Sequence, residues 1–452
     1  MARHQFSGNQ QRLDQETGAY FHSWNTERYR VALVYPNTYH QGMSNLGFLT
    51  VYHLLNRRDD CLCERFFLPD KETLPGYENS GASLLSLESA HQLTDFDLIA
   101  LSVSFENDYL NLVKIFKLAD IPLFSVERNG SYPLVLLGGV CAFINPEPLA
   151  EIVDLVAVGE AEPILSGLMN VLLCDPVPSE HTFKLLAELP GIYVPKLYQA
   201  CYAENGQFSH FKYQNSAPEH IRRQYLADLD DSPSRSFIQA DDTEFGNLAL
   251  VEVSRGCSRG CRFCAAGYVY LPPRERSLEN LIPQVESGLC QRNRIGLVAA
   301  AVSDYSGIEE LQQEILARNG QLSMSSLRLD ALTAEEVKIL HDAGHKSVAI
   351  APEAGSQKIR DFINKGIIEE QILSAVQLLA DGGIKNLKLY FMIGFPGEQL
   401  GDIEAIIALT ERISNIWRAA GRQRGHLGDL TLSVNPFIPK PFTPFQWAGM
   451  ET

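Results

Sequence analysis

The chain has 452 residues, 38 of them Lys or Arg and 55 Asp or Glu, for a formal net charge of −17. That balance works against broad binding to nucleic acid or anionic membranes, because phosphate binding needs clustered Lys and Arg, so RNA is a disfavoured partner. Hydrophobic residues at 45% and charged residues at 21% fit an ordinary globular protein of two or three domains.

No run of about 18 apolar residues marks a membrane span. The polar start Met-Ala-Arg-His-Gln-Phe-Ser-Gly lacks the apolar core of a secretory signal, so a cytoplasmic protein is expected. After an N-terminal extension (1–27), short apolar runs at Arg30–Pro36, Cys61–Leu68, Asp97–Ser104, Leu134–Gly138 and Ile152–Val158 read as strands. Helical stretches between them, Met43–Leu55, Asn107–Ala119 and Ala161–Leu173, predict an α/β domain over 28–178. Its sheet is parallel and of flavodoxin/Rossmann-like type, with ligand loops at the carboxyl ends of the strands.

Residues 179–246 read as a connector with a small β-hairpin around Asn205-Gly206. From 247 onward, strands are expected at Asn247–Val253, Ile295–Val302, Ser325–Leu329, Ser347–Ile350, Leu387–Ile393 and Leu430–Val434. Helices at Leu278–Cys290, Thr333–Ala343, Glu369–Asp381 and Gly401–Ser414 alternate with them. That pattern gives a partial (βα)6 TIM-type barrel over 247–452, with its site at the carboxyl ends of the strands. Lys388 and Lys440 read as solvated, and the rings of the Pro-rich tail 435–447 read as closing the barrel.

The first barrel strand runs into Ser-Arg-Gly-Cys-Ser-Arg-Gly-Cys-Arg-Phe-Cys, which places Cys257, Cys261 and Cys264 at C-x3-C-x2-C spacing. Three thiolates in one tight loop suit a 4Fe–4S cluster, each holding one iron and leaving the fourth iron open. A zinc site is the alternative, but such sites usually close with four ligands. No His lies between Val251 and Leu340, and the next cysteine is Cys290. The other cysteines, Cys61, Cys63, Cys141, Cys174 and Cys201, read as small buried hydrophobes.

The cysteine loop, with aromatic Phe263 before its third cysteine, resembles the signature of the radical S-adenosylmethionine (SAM) superfamily. The resemblance implies that the open iron chelates SAM, which is then cleaved reductively to a 5′-deoxyadenosyl radical. It extends to the strand end at Glu353 and to the turn Gly394-Phe-Pro-Gly-Glu398. At the second strand Val302-Ser303-Asp304-Tyr305 stands where the family has Gly-Gly-Glu. The implied SAM contacts are Phe263, Asp304, Arg328, Glu353, Ser356, Gly394, Pro396, Gly397 and Asn435. Of these, Arg328 suits the SAM carboxylate, since its planar fork can bind it in two-pronged fashion.

The first domain is similar to the cobalamin-binding domain of one branch of the superfamily, which makes cobalamin a possible second cofactor. The loops implied are Asn37, Tyr39 and Gly42 after the first strand, Ser102, Gly138 and Gly139, and Gly159 with Glu160. The cobalt-ligating histidine of the mutase motif is absent, His40 falling one position late. The resemblance therefore predicts a radical SAM enzyme acting on a small molecule, with flavodoxin or ferredoxin as electron donor. Two alternatives stand beside it. One is a cobalamin-free relative of the methylthiotransferases, which carry a second cysteine set in their first domain. The other is a non-catalytic metal-binding scaffold.

Overall fold

The computed structural model describes residues 2–24, 27–214, 217–324, 329–330, 332–342 and 345–451. It divides into two compact units, Met1–Asn247 and Leu248–Thr452.

The sheet of the first unit is built from β1 (Tyr29–Thr38), β2 (Cys61–Leu68), β3 (Leu98–Ser102), β4 (Leu134–Gly138), β5 (Leu155–Ala157) and β6 (Ile192–Tyr193). Their order is β2-β1-β3-β4-β5-β6; the first five strands are parallel and β6 is an antiparallel edge. This is the flavodoxin-like order, whose direction reverses between β1 and β3 and leaves a crevice at their carboxyl ends. Apolar residues fill both faces of β1. Val31, Leu33 and Tyr35 pack with Phe48 and Tyr52, while Ala32 and Val34 pack with Leu112 and Phe116. A strand covered by helices on both sides must be apolar throughout, and this one is.

The N-terminal residues and the stretch 179–246 fall inside this unit. Leu13, Ile238 and Ala240 share a core cluster with β1. Glu16 and Arg65 form a fully buried ion pair (Oε2–Nη2 2.7 Å), and Arg65 also meets Glu88 at 2.6 Å. A buried charge must be paired and hydrogen-bonded to be tolerated, so these contacts fix the segment in place. A helix at Glu180–Glu188 was not foreseen in this stretch, whereas β6 falls within the short alternating run Gly191–Val194 of the sequence. Strands β7 (Tyr198–Tyr202) and β8 (Phe208–Tyr213) form the hairpin, turning through Gly206 at φ +78°.

The second unit holds six parallel strands in two runs of three: β9 (Ala249–Glu252), β12 (Arg294–Val298) and β13 (Gln321–Met324), then β14 (Ser347–Glu353), β15 (Asn386–Ile393) and β16 (Leu430–Pro436). Two short strands, β10 (Ser254–Arg255) and β11 (Arg274–Glu275), pair antiparallel and close the base of the cysteine loop. Alternate residues of each long strand meet the covering helices. Val251, Ile295 and Leu297 pack with Leu281 and Leu311; Leu387, Leu389 and Phe391 pack with Leu379, Ile406 and Trp417. The result is a partial TIM-type barrel.

The third barrel strand begins earlier than the sequence indicated, at Gln321 and not Ser325; residues 325–328, including Arg328, lie outside the described residues. The helix at Leu400–Arg424 runs to 25 residues and ends at Gly425, whose φ of +75° breaks it.

Candidate active site

The cysteine loop is held at its stem, along its backbone and by its side chains. At the stem, Ser254 opposes Glu275 and Arg255 opposes Arg274. Gly256 sits at φ +86°, and a Cβ there would stand 2.7 Å from the Tyr270 carbonyl oxygen, so only glycine fits. Within the loop, Cys264 N–H donates to the Cys261 carbonyl at 3.1 Å, and Tyr268 O–H donates to the Gly260 carbonyl at 3.1 Å. The three thiols are half-buried and free of disulfides.

A second clamp comes from residues 362–365, after the helix Gln357–Phe362. Arg262 N–H donates to Ile363 O at 2.9 Å, and its guanidinium reaches Phe362 O. Asn364 Nδ2 donates to the carbonyls of Gly260 (2.9 Å) and Arg259 (3.3 Å). Lys365 Nζ lies 2.9 Å from Glu353 Oε1. Burial pushes the Cys261 thiol up, while the Lys365 ammonium opposes that shift and the other two thiols add to it. The three sulfurs thus share one electrostatic neighbourhood with a cation at its edge. That donor set fits an anionic iron–sulfur cluster, whose ligands must be thiolates. Among the described residues, no three His, Cys, Asp or Glu side chains converge as a single-metal cage.

Arg259, inside the first cysteine interval, reaches across to the second and third strand ends. Its Nε and Nη2 donate to Asp304 Oδ2 and Oδ1 at 2.8 and 2.9 Å, and Nη1 meets Asp330 Oδ2 at 3.3 Å. Asp304 therefore anchors the loop.

Glu353 ends β14 at φ +65°, an uncommon backbone state for a residue with a Cβ. The turn behind it is fixed by the buried Arg360, whose Nη1 donates to the carbonyls of Ala354 (2.9 Å) and Gly355 (3.0 Å). A Cβ on Gly355 would stand 2.1 Å from Ile406 N. Ser356 caps the following helix by accepting from Ile359 N–H, and its hydroxyl donates to Asp402 Oδ1 at 2.8 Å.

After β15, Gly394 and Gly397 take φ of +87° and +76°, and Gly394 N–H donates to Glu398 Oε2 at 2.6 Å. Burial raises the Glu398 carboxyl, opposed by the N–H groups of Gly394 and Phe395. Pro396 is half-buried and Gly397 exposed. Asn435, exposed at the end of β16, bonds only weakly to Ser433 Oγ, at 3.4 Å. Phe263 packs on Phe395 (centroids 6.0 Å apart), and Phe395, Phe437 and Phe445 form a small buried core beside the loop. Of the tail rings, Phe437 and Phe445 join this core, while Phe442 and Trp447 are exposed.

In the first unit, the expected cofactor loops divide. Asn37 Nδ2, at the end of β1, donates to Asp108 Oδ1 at 2.9 Å, and Ser102 at the end of β3 pairs with Gly138 at the end of β4. Gly139, at φ +88°, comes so close to Val103 that a Cβ would stand 2.4 Å from its carbonyl oxygen. The other four loop residues are taken up by packing. Tyr39 is buried and donates to Glu16 Oε1 at 2.6 Å, and Gly42 lies under Phe67. Gly159 bridges Gln224, and Glu160 accepts from Leu226 N–H at 3.0 Å. Asp108, 4% exposed, has an Oδ2 with no hydrogen-bond partner among the described residues. An N–H donor would complete the hydrogen bonding of that carboxylate.

Sequence reasoning missed Arg259, Arg360, Asn364, Lys365 and Asp108. For Arg259 the signal was its place inside the cysteine interval, where a side chain must face either the cluster or the barrel.

Residues 47–195 match the N-terminal family of radical SAM proteins, and residues 251–410 match the radical SAM superfamily. An uncharacterized protein of Methanocaldococcus jannaschii is 32% identical over 420 residues, covering 92% of this chain and 79% of that one. The chain belongs to the radical SAM superfamily of enzymes. The ribosomal protein uS12 methylthiotransferase RimO of Thermotoga petrophila is 27% identical over 187 residues, covering 38% of this chain and 43% of RimO. Among solved structures, the cobalamin-dependent SAM radical enzyme OxsB with aqua-cobalamin bound superposes with a TM-score of 0.54 at 18% identity over 85% of this chain. This chain spans about half, 52%, of that structure's length, and the likeness is one of fold.

Proposed function

We propose that this protein binds a 4Fe–4S cluster through Cys257, Cys261 and Cys264 and uses it to cleave SAM reductively, with cobalamin carried in the first unit. The observation that supports the cluster most directly is the doubly clamped loop, with three free thiols beside the Lys365–Glu353 pair. When bound, the cluster supplies the electron that converts SAM to a 5′-deoxyadenosyl radical.

The chain's own residues prepare the place. Arg259, tied to Asp304 and Asp330, holds the loop against the strand ends. Lys365 offsets negative charge at the thiols and orients Glu353, whose second oxygen is then free to accept from the SAM ammonium or ribose. The Gly394–Gly397 turn offers backbone close to where adenine would lie. Phe263 and the rings beneath it exclude water from one side of the loop.

Cobalamin is supported by the flavodoxin-like order, which reverses between β1 and β3, with Asn37 and Asp108 beside the ends of those strands and Ser102 and Gly138 at the ends of β3 and β4. A donor-rich ligand such as a corrin would satisfy Asp108 Oδ2. With cobalamin bound, methyl transfer to an unactivated carbon is the reaction class we favour. The methylthiotransferase reading has the match to RimO behind it. It needs a second thiol set in the first unit, and there Cys61, Cys63 and Cys141 are buried in the cores, with burial pushing the Cys61 thiol up to about 12.

The test is anaerobic reconstitution with iron and sulfide, followed by dithionite and SAM. Formation of 5′-deoxyadenosine is expected; its absence, with no SAM-dependent change in the cluster's EPR signal, overturns the reading. A corrin spectrum after growth with cobalamin decides the second cofactor.

A further inference from the structure

Strand β15 carries a cation that no described carboxylate answers. Leu387, Leu389 and Phe391 are buried against the helices, so strand alternation turns Asn386, Lys388, Tyr390 and Met392 to the concave inner face. Lys388, which read as solvated in the sequence, is half-buried there, and its Nζ lies 4.7 Å from the centroid of the Tyr390 ring. Because Tyr390 is the next inward residue, the lysine leans toward the carboxyl end of the strand. Among the described residues the ring is its one polar or ionic neighbour.

Among the described residues, other charged groups near the barrel mouth pair with one another. Glu252 meets Arg255 and Arg276, Arg259 meets Asp304 and Asp330, Glu353 meets Lys365, and Asp402 meets Lys358. The residues beside Lys388 across the ladder are small and exposed: Ala349 on β14 and Thr431 on β16. Beside Tyr390 on β16 stands Ser433. Barrels of this type usually fill such inward positions with bulky branched side chains. Here the positions flanking the cation leave space that reaches solvent.

We propose that Lys388 and Tyr390 form the substrate anchor, with Lys388 binding an oxyanion of the substrate, carboxylate or phosphate, inside the barrel, and Tyr390 packing beside it. This rests on the radical SAM reading above and names the substrate class for it. Lys388 lies about 16 Å below Ile393 at the usual strand rise, and its side chain spans part of that distance. The substrate is therefore elongated, with its anion deep in the barrel and its reacting carbon near the strand ends.

The test uses the full chain, titrated by calorimetry at fixed ionic strength with inorganic phosphate and with succinate. Wild type, Lys388→Met and Lys388→Arg are compared, and the melting temperature of each is taken without ligand. Saturable binding of at least one anion to wild type is expected, weakened tenfold or more in Lys388→Met and within threefold of wild type in Lys388→Arg. Phosphate binding alone assigns a phosphoryl group, succinate binding alone assigns a carboxylate, and binding of both still supports the anchor. No saturable binding to wild type, or equal binding to Lys388→Met, overturns the proposal. Should Lys388→Met lower the unliganded melting temperature, Lys388→Gln is read by the same criterion. The titration needs neither cluster nor SAM. Failure of wild type to form 5′-deoxyadenosine is scored separately and counts against the preceding reading.

Discussion

Arg259 grips Asp304 with two parallel hydrogen bonds, 2.8 Å from Nε and 2.9 Å from Nη2. One residue comes from between the first two cluster cysteines and the other from the turn after β12, so the pair joins the cysteine loop to the barrel wall. Two-pronged Arg–carboxylate pairs fix orientation as well as distance, which a lysine cannot reproduce. Hydrogen bonding to Asp304 holds the Arg259 guanidinium protonated above its already high ordinary value.

Arg259→Met is therefore expected to cost about 1–3 kcal/mol in stability, by removing a hydrogen-bonded guanidinium from two partly buried carboxylates. It should also lower iron retained after reconstitution by several-fold. Arg259→Lys should recover part of the stability and little of the iron retention. Thermal melts and iron analysis on the three proteins check this; equal iron content would show that the pair does not position the loop.

Each of Cys257→Ala, Cys261→Ala and Cys264→Ala should abolish the roughly 400 nm charge-transfer band expected for an iron–sulfur cluster. Cys290→Ala, at an exposed position outside the loop, should leave it intact. Loss of the band in Cys290→Ala would mean a fourth protein ligand and a closed cluster.

Two glycines give a steric contrast. Gly355→Ala drives a methyl group to 2.1 Å from Ile406 N, a backbone atom of a long helix, and should cost more than about 3 kcal/mol or prevent folding. Gly397→Ala meets nothing within 4 Å and bears only the strain of its positive φ, about 1 kcal/mol. Equal melting temperatures for the two variants would contradict the packing described.

Burial lowers the His53 imidazole from its ordinary value to about 4, with the Arg57 and Arg235 cations adding to the shift. In the folded protein the ring stacks on Phe237 at 3.5 Å between centroids, and its Nδ1 lies 2.7 Å from the Tyr20 hydroxyl. With the folded value below the unfolded one, the unfolded chain takes up the proton first as pH falls. This contribution is thus full above about 6.5 and is lost as pH drops toward 4. The melting temperature should decline through that window, and His53→Gln should flatten the decline.

The strands were legible because each is a short apolar run, and β1, covered on both faces, shows no alternation to confuse it. The proposed cluster cysteines stand out in the sequence because a tight loop needs its ligands close together in the chain. Arg259 and Asn364 do not, because each acts on a partner brought near only by the barrel closing; Arg360 and Lys365 act within one segment, on a turn after β14 whose shape no local motif announces. The third strand pairs with β12 over Gln321–Met324, a segment with only two apolar residues and so easily passed over in the sequence. Tyr39, Gly42, Gly159 and Glu160 sit in loops of the right kind at the right strand ends. Glu16 takes Tyr39, Phe67 lies over Gly42, and the segment around Gln224 takes Gly159 and Glu160; nothing local in the chain announces such distant claims.

Phe263 rests on Phe395, and Phe395 in turn on Phe437 and Phe445. The floor beneath the cysteines is thus contributed by segments the ribosome makes long after the cysteines themselves. A nascent chain stopped short of Phe437 would present its three thiols on an unsupported loop, open to oxidation and to the wrong metal. Truncation before this aromatic floor should therefore yield protein that folds its first unit yet emerges colourless.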